Sequence, residues 1–321
     1  MTEPANGFAA AAPTRPPQPV PALPPEAAAL SVGKPVRGDG LPRRALRSLR
    51  TLFASSSAAD VERVERVAAL LQKPVTTGRQ IVVTSVHGGA GKTTLAALLG
   101  SCYAHHRPDP VLMIEANPTL GTLPARVGAP TLLWSAAEFA RVVTPHMRFD
   151  QVIGYLAGLP EGGWLLPGSK GQIGAQLGLS DYQRVATALR RFFAITVVDC
   201  ETLPGELARS AMAGAQARVL ATPATPEGVA ATRAVLEWMG SLPRPLLRGT
   251  VVALTHTTPH QSLDTARAAR YLGIGEVRVV AVPHDRHLAR GGAIRTGLLG
   301  RPVHAAATEL GAQLLDLATA R

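Results

Sequence analysis

Between residues 81 and 99 the chain runs Ile-Val-Val-Thr-Ser-Val, then His87-Gly88-Gly89-Ala90-Gly91, then Lys92-Thr93-Thr94-Leu-Ala-Ala-Leu-Leu. The β-branched run predicts a buried parallel strand over 81–86, the glycines a tight turn, and the Ala/Leu stretch a helix from 92 or 93. Gly88, Gly89 and Gly91 allow successive backbone N–H groups to turn inward, and the helix start adds the positive end of its dipole. Such a nest fits phosphate oxygens. Lys92 would then supply a cation, and the Thr93 hydroxyl a ligand for a divalent ion.

The same alternation continues along the chain. Strands are expected at 111–115, 164–166, 195–199, 217–221, 250–254 and 277–282. Helices are expected near 93–106, 135–142, 180–192, 204–213, 226–240, 262–272 and 303–319. Apolar strands separated by amphipathic helices imply an α/β fold, a three-layer sandwich around a mainly parallel sheet. Ligands in such sheets lie beyond the carboxyl ends of the strands. One of these strands, Ile195-Thr-Val-Val-Asp199, ends in an acid about a hundred residues after the glycine loop. A carboxylate there can hold the water shell of Mg²⁺ against phosphates.

His87-Gly88-Gly89-Ala90-Gly91-Lys92-Thr93 resembles the deviant Walker A loop of the ParA/MinD ATPases, Lys-Gly-Gly-x-Gly-Lys-Thr/Ser. In that family the first lysine reaches across a nucleotide-sandwich dimer, and this chain has His87 in its place. Glu115-Ala116-Asn117-Pro118 resembles the family's switch, whose second position often carries the acid that orients the attacking water. Glu115 keeps a carboxylate, whereas Asn117 can orient water but cannot accept a proton, so slow turnover is expected. Trp164-Leu165-Leu166-Pro167-Gly168 and Pro283-His284-Asp285-Arg286-His287-Leu288 resemble two further family segments, and Pro283 is thereby placed near the adenine side. The family often reads adenine with an asparagine after the preceding strand, and here Thr255-His256 stand at that point.

The resemblance covers about 75–321. It implies a P-loop NTPase fold, ATP and Mg²⁺ as ligands, and a nucleotide-dependent homodimer. Lys92, Glu115, Asn117 and Asp199 would be the catalytic set, His87 to Thr94 with Pro283 the nucleotide contacts, and Thr93 with Asp199 the metal residues. The Pro-rich leader, an Arg-rich helix and the Glu-Ala-Asn-Pro segment look most like the MinD-like ATPases associated with actinobacterial type VII (ESX) secretion, which implies a protein partner in a secretion-system membrane complex.

Outside that domain, residues 1–40 are Pro/Ala-rich with few large apolar side chains and are expected to be a disordered tail. Residues 41–73 read as a basic helical segment. Its first helix, 41–53, sets Leu46, Leu49 and Phe53 against Arg43, Arg44, Arg47 and Arg50, which suits a membrane surface or a docking partner and packing on its own domain equally. The next carries a stripe of Val61, Val64, Val67, Ala68 and Leu71.

The net charge of +11 with only four lysines admits nucleic acid or an anionic membrane without selecting either. A DNA-partitioning role would draw on Arg267, Arg270, Arg278, Arg286, Arg290 and Arg295. A non-catalytic adaptor is the other alternative. No apolar run approaches the ~20 residues of a membrane span and no signal-peptide core opens the chain, so a cytoplasmic protein is expected. Cys102 and Cys200 read as reduced thiols, and His284 with His287 as surface residues without a third ligand. The last residues, 311–321, hold neither a tyrosine cluster nor a cationic helix face.

Overall fold

The computed structural model describes residues 18–26, 36–38, 58–117, 121–171, 177–242, 246–259 and 263–320. In chain order the strands are β1 (Val20–Pro21), β2 (Arg79–Ser85), β3 (Val111–Ala116), β4 (Thr131–Leu132), β5 (Ala157–Gly158), β6 (Trp164–Leu166), β7 (Ile195–Thr202), β8 (Ala217–Pro223), β9 (Thr250–Thr255) and β10 (Arg278–Val282). The helices are α1 (Ala58–Leu71), α2 (Lys92–His106), α3 (Leu123–Arg126), α4 (Ala136–Val142), α5 (Phe149–Ile153), α6 (Leu179–Leu189), α7 (Glu206–Gly214), α8 (Pro226–Ser241), α9 (Thr265–Leu272), α10 (Arg286–Ala289) and α11 (Arg301–Thr319).

Eight strands form one sheet in the order β10-β9-β8-β2-β7-β3-β6-β5. Every neighbouring pair is parallel except β5 with β6 at the edge. Side chains alternate between two buried layers, as the pleat requires. Ile81, Val83, Met113, Val197 and Val219 face α2 and α11, while Val82, Leu112, Ile114, Val198 and Leu220 face α4, α6, α7 and α8. Burial of each such side chain stabilises the fold by ~1.5–3 kcal/mol before entropy is counted. The three-layer α/β expectation is met because each central strand is covered on both faces.

β7 runs three residues beyond the expected Asp199. Thr84 Oγ1 donates to the Glu201 carbonyl at 2.7 Å and the Leu203 amide to that of Ser85 at 2.8 Å, so pairing with β2 continues past a register shift. The stripe on α1 departs further. Leu71 is fully buried and Val67 and Leu70 pack on the core, but Val64 is 68% exposed and Val61 is also exposed. Arg63 reaches Glu309 on α11 at 3.5 Å, but the apolar contact of α1 with the domain comes from its last turns. Arg107 fixes that end by donating to the last carbonyls, Leu71 at 2.7 Å and Lys73 at 2.8 Å, which no helical amide can reach.

The basic helix expected at 41–53 lies outside the described residues, as does the Pro118–Leu120 stretch of the switch. Two pieces of the 1–40 segment do contact the domain. Val20–Pro21 pairs antiparallel with Thr131–Leu132, and Gly38 bonds the Leu298 carbonyl. A proline-rich strand edge pairs when it needs few donors, and β1 needs only two residues. No described helix is long and apolar enough to cross a membrane.

Candidate functional site

β2 sits between β7 and β8, and the glycine loop leaves its carboxyl end. Gly89 and Gly91 adopt φ of 74° and 82°, a left-handed backbone that side chains disfavour. A methyl group on Gly88 or Gly89 would meet nothing within 4 Å, so the space in front of the loop is open. Gly91 caps α2 without a side chain and the first turn holds no acid, which leaves its amides for an anion. Behind the loop, buried Ala90 is tied to the sheet: Thr255 Oγ1 donates to its carbonyl at 3.0 Å, sharing the proton with Thr222 O at 3.1 Å. Ser85 Oγ bonds the His87 carbonyl at 2.7 Å while the His87 side chain is exposed.

Glu115 and Asp199 are register partners on β3 and β7, pointing to the α2 side of the sheet. Asp199 is buried, which raises its pKa to about 6, opposed by the Thr93 hydroxyl and the Lys92 charge. Thr93 approaches closely enough to favour ionisation, yet neither carboxylate oxygen completes a hydrogen bond. Burial also lowers the Lys92 ammonium, against the pull of Asp199 and Cys200. A buried carboxylate with both oxygens unused, beside a threonine hydroxyl, is an oxygen donor set that fits a hard dication such as Mg²⁺.

Glu115 is differently placed. Its Oε1 accepts from the Leu123 amide and its Oε2 from the Gly168 amide, each at 3.0 Å. Burial nevertheless raises its pKa to about 7, with those amides opposing and the Asp199 charge adding to the rise. The structure thus ties this carboxylate to two backbone loops. Asn117 closes β3 at the same end, half-buried.

A cavity of about 300 Å³ continues from the loop, lined by Gly91, Thr94, Thr255, His256, Pro283 and Leu288 among others. Pro283 therefore faces the same space as the start of α2. Sequence reasoning missed two residues here. Arg126, buried and without a carboxylate partner among the described residues, donates to Thr94 Oγ1 at 2.9 Å, Leu288 O at 3.2 Å and Gly292 O at 3.1 Å. It staples α2 to the segment after β10, and a lone arginine closing the four-residue α3 gave no signal of that in the sequence. Thr255 is the second; only its place at a strand end pointed to it.

His287 corrects the surface reading. It is buried, and its Nε2 accepts from the Arg295 amide at 3.0 Å. Among the described residues no histidine, cysteine or acid cluster is arranged to hold a metal. Cys102 and Cys200 are free and buried. The arginines weighed for DNA do not share one face: Arg278 opens β10 and bonds Asp316, whereas Arg286 and Arg290 follow its other end.

No family model matches the sequence. The chain is 28% identical over 244 residues to the ESX-1 secretion-associated protein EspI of Mycobacterium tuberculosis, covering 74% of this chain but only 36% of that relative's length. Among solved structures, a ParA family ATPase from Chlorobium tepidum superposes with TM-score 0.62 at 11% identity, over 73% of this chain and 97% of that one. MinD in the Aquifex aeolicus MinC:MinD complex gives 0.57 at 16%, over 74% and 96%. McdA from Cyanothece, in an ATP complex, gives 0.56 at 20%, over 74% and 96%. With its parallel sheet, its strand–glycine loop–helix and these likenesses, the chain has the fold of the ParA/MinD P-loop ATPases.

Proposed function

We propose that this protein is an ATP-binding switch of the ParA/MinD kind that dimerises with nucleotide and recruits or positions a partner. The observation that carries the reading is Asp199, whose two buried, unpartnered oxygens stand beside Lys92 and Thr93 at an open glycine loop. In this reading the amides of Gly88 to Thr94 bind the triphosphate, and His87 lies at the exposed edge where a second copy would meet it. Lys92 balances charge on the transferring phosphate. Thr93 and Asp199 would hold Mg²⁺, which when bound would supply positive charge to offset that of the phosphates. Pro283 packs on the base side, and Asn117 orients water near the γ-phosphate. Glu115 acts from behind, holding the loops on which that water depends.

The likeness to EspI supports a partner in a type VII secretion complex, reached from the cytoplasm at the inner face of the membrane. Titration of ATP with Mg²⁺ against the wild type and Lys92→Ala tests the nucleotide assignment. Wild-type binding lost in the variant is expected; equal affinity in both would refute it.

A second reading, a nucleotide-binding adaptor without turnover, is favoured by His87 and Asn117. An exposed imidazole is shorter than a lysine, and an amide accepts no proton from water. Nucleotide binding without phosphate release would select it.

A further inference from the structure

The N-terminal segment reaches the back of the base-side cavity. Gly38 donates its amide to Leu298 O at 2.8 Å, and the His287 ring bonds the Val36 carbonyl. Because His287 Nε2 accepts from the Arg295 amide, the proton given to Val36 belongs to Nδ1. One neutral tautomer serves both bonds, and burial favours it by lowering the imidazole pKa.

The seat admits only glycine. A methyl group on residue 38 would overlap Asp285 Oδ2 and the Gly300 amide nitrogen. Asp285 cannot yield, since its carboxylate accepts from the amides of His287 at 2.7 Å, Leu288 at 3.0 Å and Gly300 at 2.8 Å. Asp285 and Leu288 also line the cavity that opens to Gly91 and Thr94. The wall that receives the leader on one side therefore faces the cavity on the other. Further back along the leader, Val20–Pro21 pairs with β4 and Ala22 packs on the core, so the segment is anchored at two points.

We propose that Val36–Gly38 is an intramolecular clasp and that Gly38 and His287 are positioning residues, bracing the Pro283–Ala289 wall so that seating of the leader and binding of nucleotide strengthen each other. The inference rests on the nucleotide reading above. Reciprocity follows from linkage: whatever factor the seated clasp adds to nucleotide affinity, bound nucleotide adds to seating.

The full-length protein is titrated with a fluorescent ATP analogue and Mg²⁺, as wild type, Gly38→Val and Gly214→Ala. The last is a control, since its added methyl meets nothing within 4 Å. Gly38→Val is expected to weaken binding roughly tenfold, within the usual range of coupling between sites, and Gly214→Ala to match the wild type. In a second arm, trypsin cleavage after the exposed Arg37 of the wild type is followed by mass spectrometry. Saturating nucleotide is expected to slow that cut roughly tenfold. This arm needs no variant, so it decides the matter even if Gly38→Val misfolds. A wild type that binds nucleotide without protecting Arg37, or a folded Gly38→Val with unchanged affinity, would overturn the clasp alone. A wild type that binds no nucleotide would overturn the nucleotide reading and the clasp with it.

Discussion

Replacing Asp199 with asparagine should stabilise the ligand-free protein while abolishing its response to Mg²⁺-nucleotide. The carboxyl pKa rises from 3.8 to about 6 on folding, mainly through burial. Two units correspond to about 3 kcal/mol of stability lost by keeping the group ionised at high pH. The direction is fixed by proton counting. A raised carboxyl pKa means the folded state holds more protons than the unfolded one between about pH 4 and 6, so stability falls as pH rises through that window. Above it the whole cost is present; below it none is. Asparagine removes the charge but leaves two buried polar atoms without partners, which takes back about 1–2 kcal/mol. The net gain is therefore about 1–2 kcal/mol at pH 8. Relief of the repulsion that raises the Glu115 pKa works in the same direction.

Urea denaturation in EDTA at pH 8 and pH 4 gives both ends of the window. The variant should unfold at higher urea at pH 8 and lose that advantage at pH 4. Added Mg²⁺ and ATP should raise the midpoint of the wild type only. An Asp199→Asn protein less stable than wild type at pH 8 would mean that the carboxylate has compensating partners, and the case for a metal seat would fail with it.

Thr255→Val keeps the shape of a fully satisfied hydroxyl and leaves the buried Ala90 carbonyl without its donor. A loss of about 1–3 kcal/mol in urea denaturation is expected, together with weaker ATP binding; a neutral substitution would show that the loop does not depend on β9. The double variant His87→Lys with Asn117→Asp is expected to hydrolyse ATP faster than the wild type in a phosphate-release assay. If it shows no gain, the limits on turnover lie in other residues.

The sheet was legible because its strands are apolar on both faces and its turns are rich in glycine and proline. The glycine loop and Asp199 stood out for a related reason, since a polar residue at the end of such a strand has few structural uses. Contacts made by backbone atoms left no trace in the pattern. Arg126 reaches two carbonyls 162 and 166 residues away, and nothing in Ala125-Arg126-Val127 announces them. Periodicity also misled at α1, where Val61 and Val64 continue the helical stripe yet stay exposed. His287 failed for the opposite reason: a histidine directly after Asp285-Arg286 reads as exposed, and only tertiary packing encloses it. The two leader contacts were hidden by composition, because a segment poor in large side chains can still dock through a single glycine amide and a two-residue pairing.

The grip of Glu115 on both Leu123 and Gly168 has a mechanical corollary. One loop follows β3, two strands over from β2, and the other follows β6, three strands over. Fastened through one carboxylate, they behave as a single shutter rather than as two independent flaps. Any rearrangement at the end of β3 that pulls on Glu115 must carry the β6 side along, or break a hydrogen bond to stay behind. A displacement at the carboxyl end of β3 is in this way relayed toward the far edge of the sheet.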